Sequence, residues 1–219
     1  MIKKYNQYIK ENKHLDIDPY GEEDWEFDNL PPLLQLVRSP YNQILGFDCS
    51  NAHLTSLEGI EKLINLEVLY CGNNQLTNLN GIENLTKLER LYCDNNQLTS
   101  LEGIENLTNL KVLYCSNNQL TSLNGIENLT KLEGLYCDNN QLTSLNGIEN
   151  LTNLEILNCY HNRLTSLEGI KNLINLRYVY CTVNSFSNEY KKLLKNYCKK
   201  TIIFRNYMPV IKKKIFLYI

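Results

Sequence analysis

The chain has no apolar run approaching the roughly 18 residues that a membrane-crossing helix requires. Its first residues, MIKKYNQYIKENKHL, lack the continuous apolar stretch and small-residue cleavage site of a secretory leader. Both absences set the expectation of an intracellular, cytoplasmic protein that is neither secreted nor membrane-spanning. In that reducing setting 8 cysteines are expected to stay unpaired. Histidine is scarce, and His14, His53 and His161 stand in no motif with a nucleophile. There is no C-x-x-C pair and no glycine-rich phosphate loop. The expectation is therefore no metal, no cofactor, no small-molecule substrate and no enzymatic activity.

Leucine and asparagine are in excess, with 38 and 32 copies among 219 residues, and so much Asn asks for a structural reason. Charge is divided unevenly. Residues 1–40 carry net −3, residues 41–186 net −7 and residues 187–219 net +8.

Cys49, Cys71, Cys93, Cys115, Cys137, Cys159 and Cys181 follow one another at intervals of 22. A fixed period of this size means stacked supersecondary units. One unit runs Leu110, Leu113, Cys115, Asn118, Leu120, Leu123, Gly125, Ile126, Leu129, the L-x-x-L-x-L-x-x-N-x-L pattern with Cys in the third apolar slot. Leu113 and Cys115 alternate with Tyr114, which predicts a short strand with one buried face. Asn74, Asn96, Asn118, Asn140, Asn162 and Asn184 fall where the chain leaves each strand. There an amide can bond the backbone of its own and the adjacent turn; the first repeat has Ala52 instead. Gly59, Gly81, Gly103, Gly125, Gly147 and Gly169 predict a tight turn or a close approach. The Ile126 and Leu129 spacing predicts a short helical turn facing inward. Seven strands at about 4.8 Å give a parallel sheet roughly 34 Å along the axis.

The ends need closing. At the C-terminal end the 22-residue register continues to Ile203 in the Cys slot, Asn206 in the Asn slot and Met208 in a Leu slot. Ser187 to Tyr197 reads as a helix. This predicts a degenerate eighth repeat and a basic tail over 187–219, after seven repeats over 44–186. Residues 1–43 form an N-terminal cap or flank, with Trp25 and Phe27 in inward slots before the apolar stretch from Pro31 to Val37.

On these motifs residues 44–186 resemble the short 22-residue class of leucine-rich repeats found in internalins and in a regulatory subunit of a protein phosphatase. The segment 187–208 resembles the helix-containing caps of intracellular members. The Leu-Tyr-Cys strand also resembles leucine-rich-repeat proteins of giant amoebal viruses. The resemblance implies an α/β solenoid: a horseshoe with a concave parallel β-sheet, short convex turns or 3-10 helices, and protein recognition as its use.

Outward strand positions then form columns on the concave face. The central one is Asp48, Tyr70, Tyr92, Tyr114, Tyr136, Asn158, Tyr180. Beside it run Ser50, Gly72, Asp94, Ser116, Asp138, Tyr160, Thr182 on one flank and Gly46, Val68, Arg90, Val112, Gly134, Ile156, Tyr178 on the other. Four successive tyrosines read either as a structural ladder or as a binding stripe, and the two are compatible. The sixth repeat departs from the internal consensus at Asn158, Tyr160, His161 and Arg163. That departure is either drift at solvent positions or, with Tyr178 and Tyr180, a partner-binding hot spot. The cysteine column reads as core packing. The Asn-Leu-Thr sequons at 84, 106, 128 and 150 read as by-products of the repeat.

The tail, with Lys191, Lys192, Lys195, Lys199, Lys200, Arg205 and Lys212 to Lys214, reads as a solvated cap. The alternative function is tail-directed binding of nucleic acid or anionic membrane, with the repeats as a rigid scaffold. Either contact is expected only through this tail. The lead expectation is a non-catalytic adaptor or regulator that binds a protein on its concave face.

Overall fold

The structure is a computed structural model that describes residues 41–192, residue 194 and the backbone of 216–218. The expected N-terminal cap around Trp25 and Phe27 lies outside the described residues. Eight three-residue strands form one parallel sheet in sequential order: β1 Gly46–Asp48, β2 Val68–Tyr70, β3 Arg90–Tyr92, β4 Val112–Tyr114, β5 Gly134–Tyr136, β6 Ile156–Asn158, β7 Tyr178–Tyr180 and β8 Phe216–Tyr218. From β1 to β7 each residue pairs with its counterpart one repeat away, as Leu91 does with Leu113. Equivalent side chains therefore stack in columns, and the chain forms a parallel β-solenoid.

The return path follows from a three-residue apolar step. After Leu76 come Leu79, Ile82, Leu85 and Leu88, none with exposed surface. Backbone bonds link each to the one before: Ile82 N–H to the Leu79 carbonyl at 3.3 Å, Leu85 to Ile82 at 2.9 Å and Leu88 to Leu85 at 2.9 Å. Successive tight turns thus pay out apolar side chains to one side while keeping the backbone paired. Leu91 on β3 and Cys93 just after it complete the coil's share of a core that runs from Phe47 to Leu194. Each fully buried leucine contributes about 1.5–3 kcal/mol. The helical turn expected after each glycine becomes a 3-10 helix at Ile60–Lys62 and Glu168–Ile170. Elsewhere it stays a chain of turns.

Two glycines show why that position is small. Gly125 has φ +103°, a conformation costly for other residues, and its N–H donates to Glu127 Oε2 at 2.8 Å. Four further glycines share this arrangement, each with a glutamate two residues on. Gly169 has Lys171 in the glutamate's place and lies inside the 3-10 helix. It is small for another reason: a Cβ there would come 2.7 Å from the Leu145 carbonyl.

At the C-terminal end, residues 188–192 are helical. The Ser187 hydroxyl accepts the Tyr190 N–H at 3.1 Å. Phe186 and Leu194 are buried, and the Tyr190 hydroxyl accepts the Leu167 N–H at 2.8 Å. The strand after β7 departs from the expected register, because Tyr178 pairs with Phe216 and not with a residue 22 positions on. A helix advances only about 1.5 Å per residue, so a coil that contains one needs more chain to return to the sheet. Ile203, Asn206 and Met208 lie outside the described residues.

Candidate functional site

Each corner between strand and return path is built by two consecutive residues with different tasks. The inner one is the ladder asparagine. Asn118 Nδ2 donates to the Cys93, Cys115 and Ser116 carbonyls at 3.1, 3.1 and 3.2 Å, while its Oδ1 accepts the Leu98 N–H at 2.9 Å. Asn74, Asn96, Asn140, Asn162 and Asn184 repeat this reach into the preceding coil. Ala52, in the same slot of the first repeat, donates its own N–H to Asn74 Oδ1 at 3.0 Å. The preceding residue is left-handed in every coil: Asn51, Asn73, Asn95, Asn117, Asn139, His161 and Val183, with φ between 49° and 57°. Asn and His tolerate that conformation, whereas Val is β-branched and strained there. The doubled Asn-Asn in the sequence was the signal for this second task.

Two of the expected site residues belong to one of these corners. His161 and Arg163 are expected as partner-binding residues of the concave face. They lie three and five residues past the end of β6, in a groove shared with Gln141, Val183 and Ser185, and the His161 N–H still pairs with the next coil at the Thr182 carbonyl, 3.0 Å away. The left-handed residue of this coil is His161, three residues past Asn158. The Tyr160 ring lies beside it, its centroid 5.8 Å from that of His161.

On the concave face, Tyr70, Tyr92, Tyr114 and Tyr136 form one continuous stack, with centroid separations of 4.4, 4.9 and 4.0 Å and interplanar angles of 15°, 16° and 3°. The ring faces between successive tyrosines are spent on one another, while the face of Tyr136 toward Asn158 meets no further ring of this stack. Burial within the stack, followed by the hydrogen bond with Tyr136, pushes the Tyr114 phenol well above its ordinary value. Tyr136 leans over Gly134, where a Cβ would meet its ring at 3.2 Å. Asn158 interrupts the stack. Tyr160, Tyr178 and Tyr180 sit outside it, 38, 37 and 36 % exposed.

A group the sequence did not single out organises this end of the sheet. Asp138 Oδ1 accepts from Ser116 Oγ at 2.5 Å and from Asn158 Nδ2 at 2.8 Å, and its Oδ2 accepts from Asn139 Nδ2 at 2.7 Å. The three partners sit in three different repeats, so a search along one repeat does not reveal the cluster.

The cysteines of the 22-residue series face inward. Seven are free and buried, and the Cys93 and Cys115 thiols donate to the Tyr114 and Tyr136 carbonyls at 3.3 and 3.4 Å. Burial holds the thiols protonated: Cys49 is pushed up to about 12, and Cys71, Cys93, Cys115, Cys137 and Cys159 also lie well above the ordinary thiol range. The tail lysines and arginine beyond Lys192 lie outside the described residues.

A family model described as leucine-rich repeat region matches residues 37–202. No curated protein sequence matches the chain. Among solved structures, internalin C2 of Listeria monocytogenes is similar at 31% identity over 68% of this chain and 66% of that one, with a TM-score of 0.63. A leucine-rich-repeat protein of Leptospira interrogans is similar at 29% identity over 73% and 38%, with a TM-score of 0.62. A second Listeria internalin shares the fold at 23% identity over 70% and 52%, with a TM-score of 0.60. In each case the match spans less than two thirds of the other protein's length.

Proposed function

The chain belongs to the leucine-rich-repeat family, and from that membership we propose that it is an adaptor or regulator whose concave sheet binds a protein partner. Leucine-rich-repeat folds generally serve as non-catalytic protein-binding modules. The observation that carries the reading is the exposed aromatic end of the sheet. Tyr160, Tyr178 and Tyr180 keep more than a third of their surface in solvent, while the core beneath them is closed. Exposed tyrosines supply rigid contact area with a polar tip, the chemistry enriched at protein interfaces. Asn158, in the same repeat as Tyr160, ends the ring stack and opens this end of the face. We place the protein inside a cell and near the leucine-rich-repeat proteins of giant amoebal viruses on the style of its repeats, chiefly the Leu-Tyr-Cys strand.

The test is affinity capture with mass spectrometry. Wild type is compared with a Tyr160→Ala/Tyr178→Ala variant shown to keep its melting temperature, and with Lys131→Ala on an exposed part of the return path. A protein retained by wild type and by Lys131→Ala, but lost from the double variant, supports concave recognition. Equal capture by all three would overturn it.

A further inference from the structure

One ring is missing from an otherwise regular column. Tyr70 to Tyr136 stack at 4.0–4.9 Å; Asn158 follows in register with Tyr136, and Tyr180 in register with Asn158. At strand spacing, a column lacking one ring leaves roughly 8–10 Å between the flanking tyrosines. That is the room one planar group needs to lie against both.

The floor of this slot is polar and fixed. The Asn158 amide is held sideways by its 2.8 Å bond to Asp138. Asp138 in turn is held by three neutral donors, Ser116, Asn139 and Asn158. A carboxylate offers about four acceptor positions, so one remains, on Oδ2. Among the described residues Asp138 forms no ion pair. The three concave columns carry three carboxylates, Asp48, Asp94 and Asp138, against a single cation, Arg90. A neutral aromatic ring would fill the slot and leave this charge unanswered. An ammonium group would answer the charge and leave the slot unfilled. A guanidinium is planar, cationic and rich in donors, and it stacks on aromatic faces.

We propose that the slot between Tyr136 and Tyr180, over Asn158, receives an arginine side chain of the protein partner, stacked against the tyrosine rings and hydrogen-bonded to Asp138. This rests on the concave-face reading above and names the partner's anchoring residue.

The full chain is titrated by NMR with acetyl-Gly-Arg-Gly-amide and with its lysine and citrulline counterparts. The expected result is saturable shifts centred on Tyr136, Asn158 and Tyr180 with the arginine peptide, affinity at least about fivefold weaker with lysine, and no saturation with citrulline. Asn158→Tyr supplies the missing ring and is expected to abolish binding; Asp138→Asn is expected to weaken it at least about tenfold. Equal binding of arginine and citrulline, or undiminished binding by either variant, overturns the proposal. Partner capture separates the two readings. A partner lost from Tyr160→Ala/Tyr178→Ala but held at full strength by Asn158→Tyr overturns the arginine slot and leaves concave recognition standing. A partner held by both overturns both.

Discussion

At the scale of single residues, the corner pair shows how one amino acid type serves two physical ends. The inner Asn is chosen for its amide and the outer for its backbone. Val183 fills the outer slot at φ +54° and is 55% exposed, so its apolar side chain gains little from burial while its branched Cβ crowds the turn. Val183→Asn is therefore expected to raise stability by about 1 kcal/mol in urea unfolding; a loss of stability would show that the valine is held by contacts. The thiol column makes a second prediction. Folded-state thiol pKa values are raised by burial, so the stability they contribute is intact below the unfolded value near 9 and is lost as pH rises toward the folded values. The melting temperature is expected to hold from pH 7 to about 8.5 and then fall steeply, with Cys93→Val shallowing the fall. Period alone made the ladder asparagines and inward cysteines legible. The left-handed residue was hidden because it too is usually Asn. The end of β6 at Asn158 was hidden because a period does not say where a strand stops.

At the scale of the element, strand and return path were readable because the alternation at Leu113, Tyr114 and Cys115 and the three-residue step at Leu123, Ile126 and Leu129 impose different periods. The glycine turn was readable as small, but not as two kinds of small. Gly169→Ala is expected to destabilise by more than 2 kcal/mol in chemical denaturation, although its φ is unremarkable. The intruding atom is a backbone carbonyl at 2.7 Å, which cannot swing aside as a side-chain end can. An alanine that melts like wild type would mean that the neighbouring coil yields at little cost. The position of β8 escaped the sequence reading because the connection before it contains the cap helix and so leaves the repeat's register.

At the scale of the molecule, adjoining coils meet through nearly identical surfaces, which makes stability close to a sum of coil and interface contributions. Removing residues 97–118 joins Asn96 to Gln119, in the sequence context Asn118 had before. The shortened protein is expected to fold cooperatively with a lower urea midpoint and an m-value reduced by roughly one seventh. Removing residues 97–107 alone breaks the register and is expected to abolish cooperative unfolding. If both deletions behaved alike, the coils would not be the additive unit.

The ladder asparagines also give the solenoid a direction in time. Every one of them reaches backward, as Asn96 does to the Cys71 carbonyl and the Leu76 N–H, and so completes the coil made before its own. On a ribosome, a newly emerged coil therefore stays unlatched until the corner of its successor leaves the exit tunnel. Assembly trails synthesis by one coil, and Asn184, the last corner asparagine among the described residues, latches its predecessor, while Phe186, Tyr190 and Leu194 pack against the core beyond it.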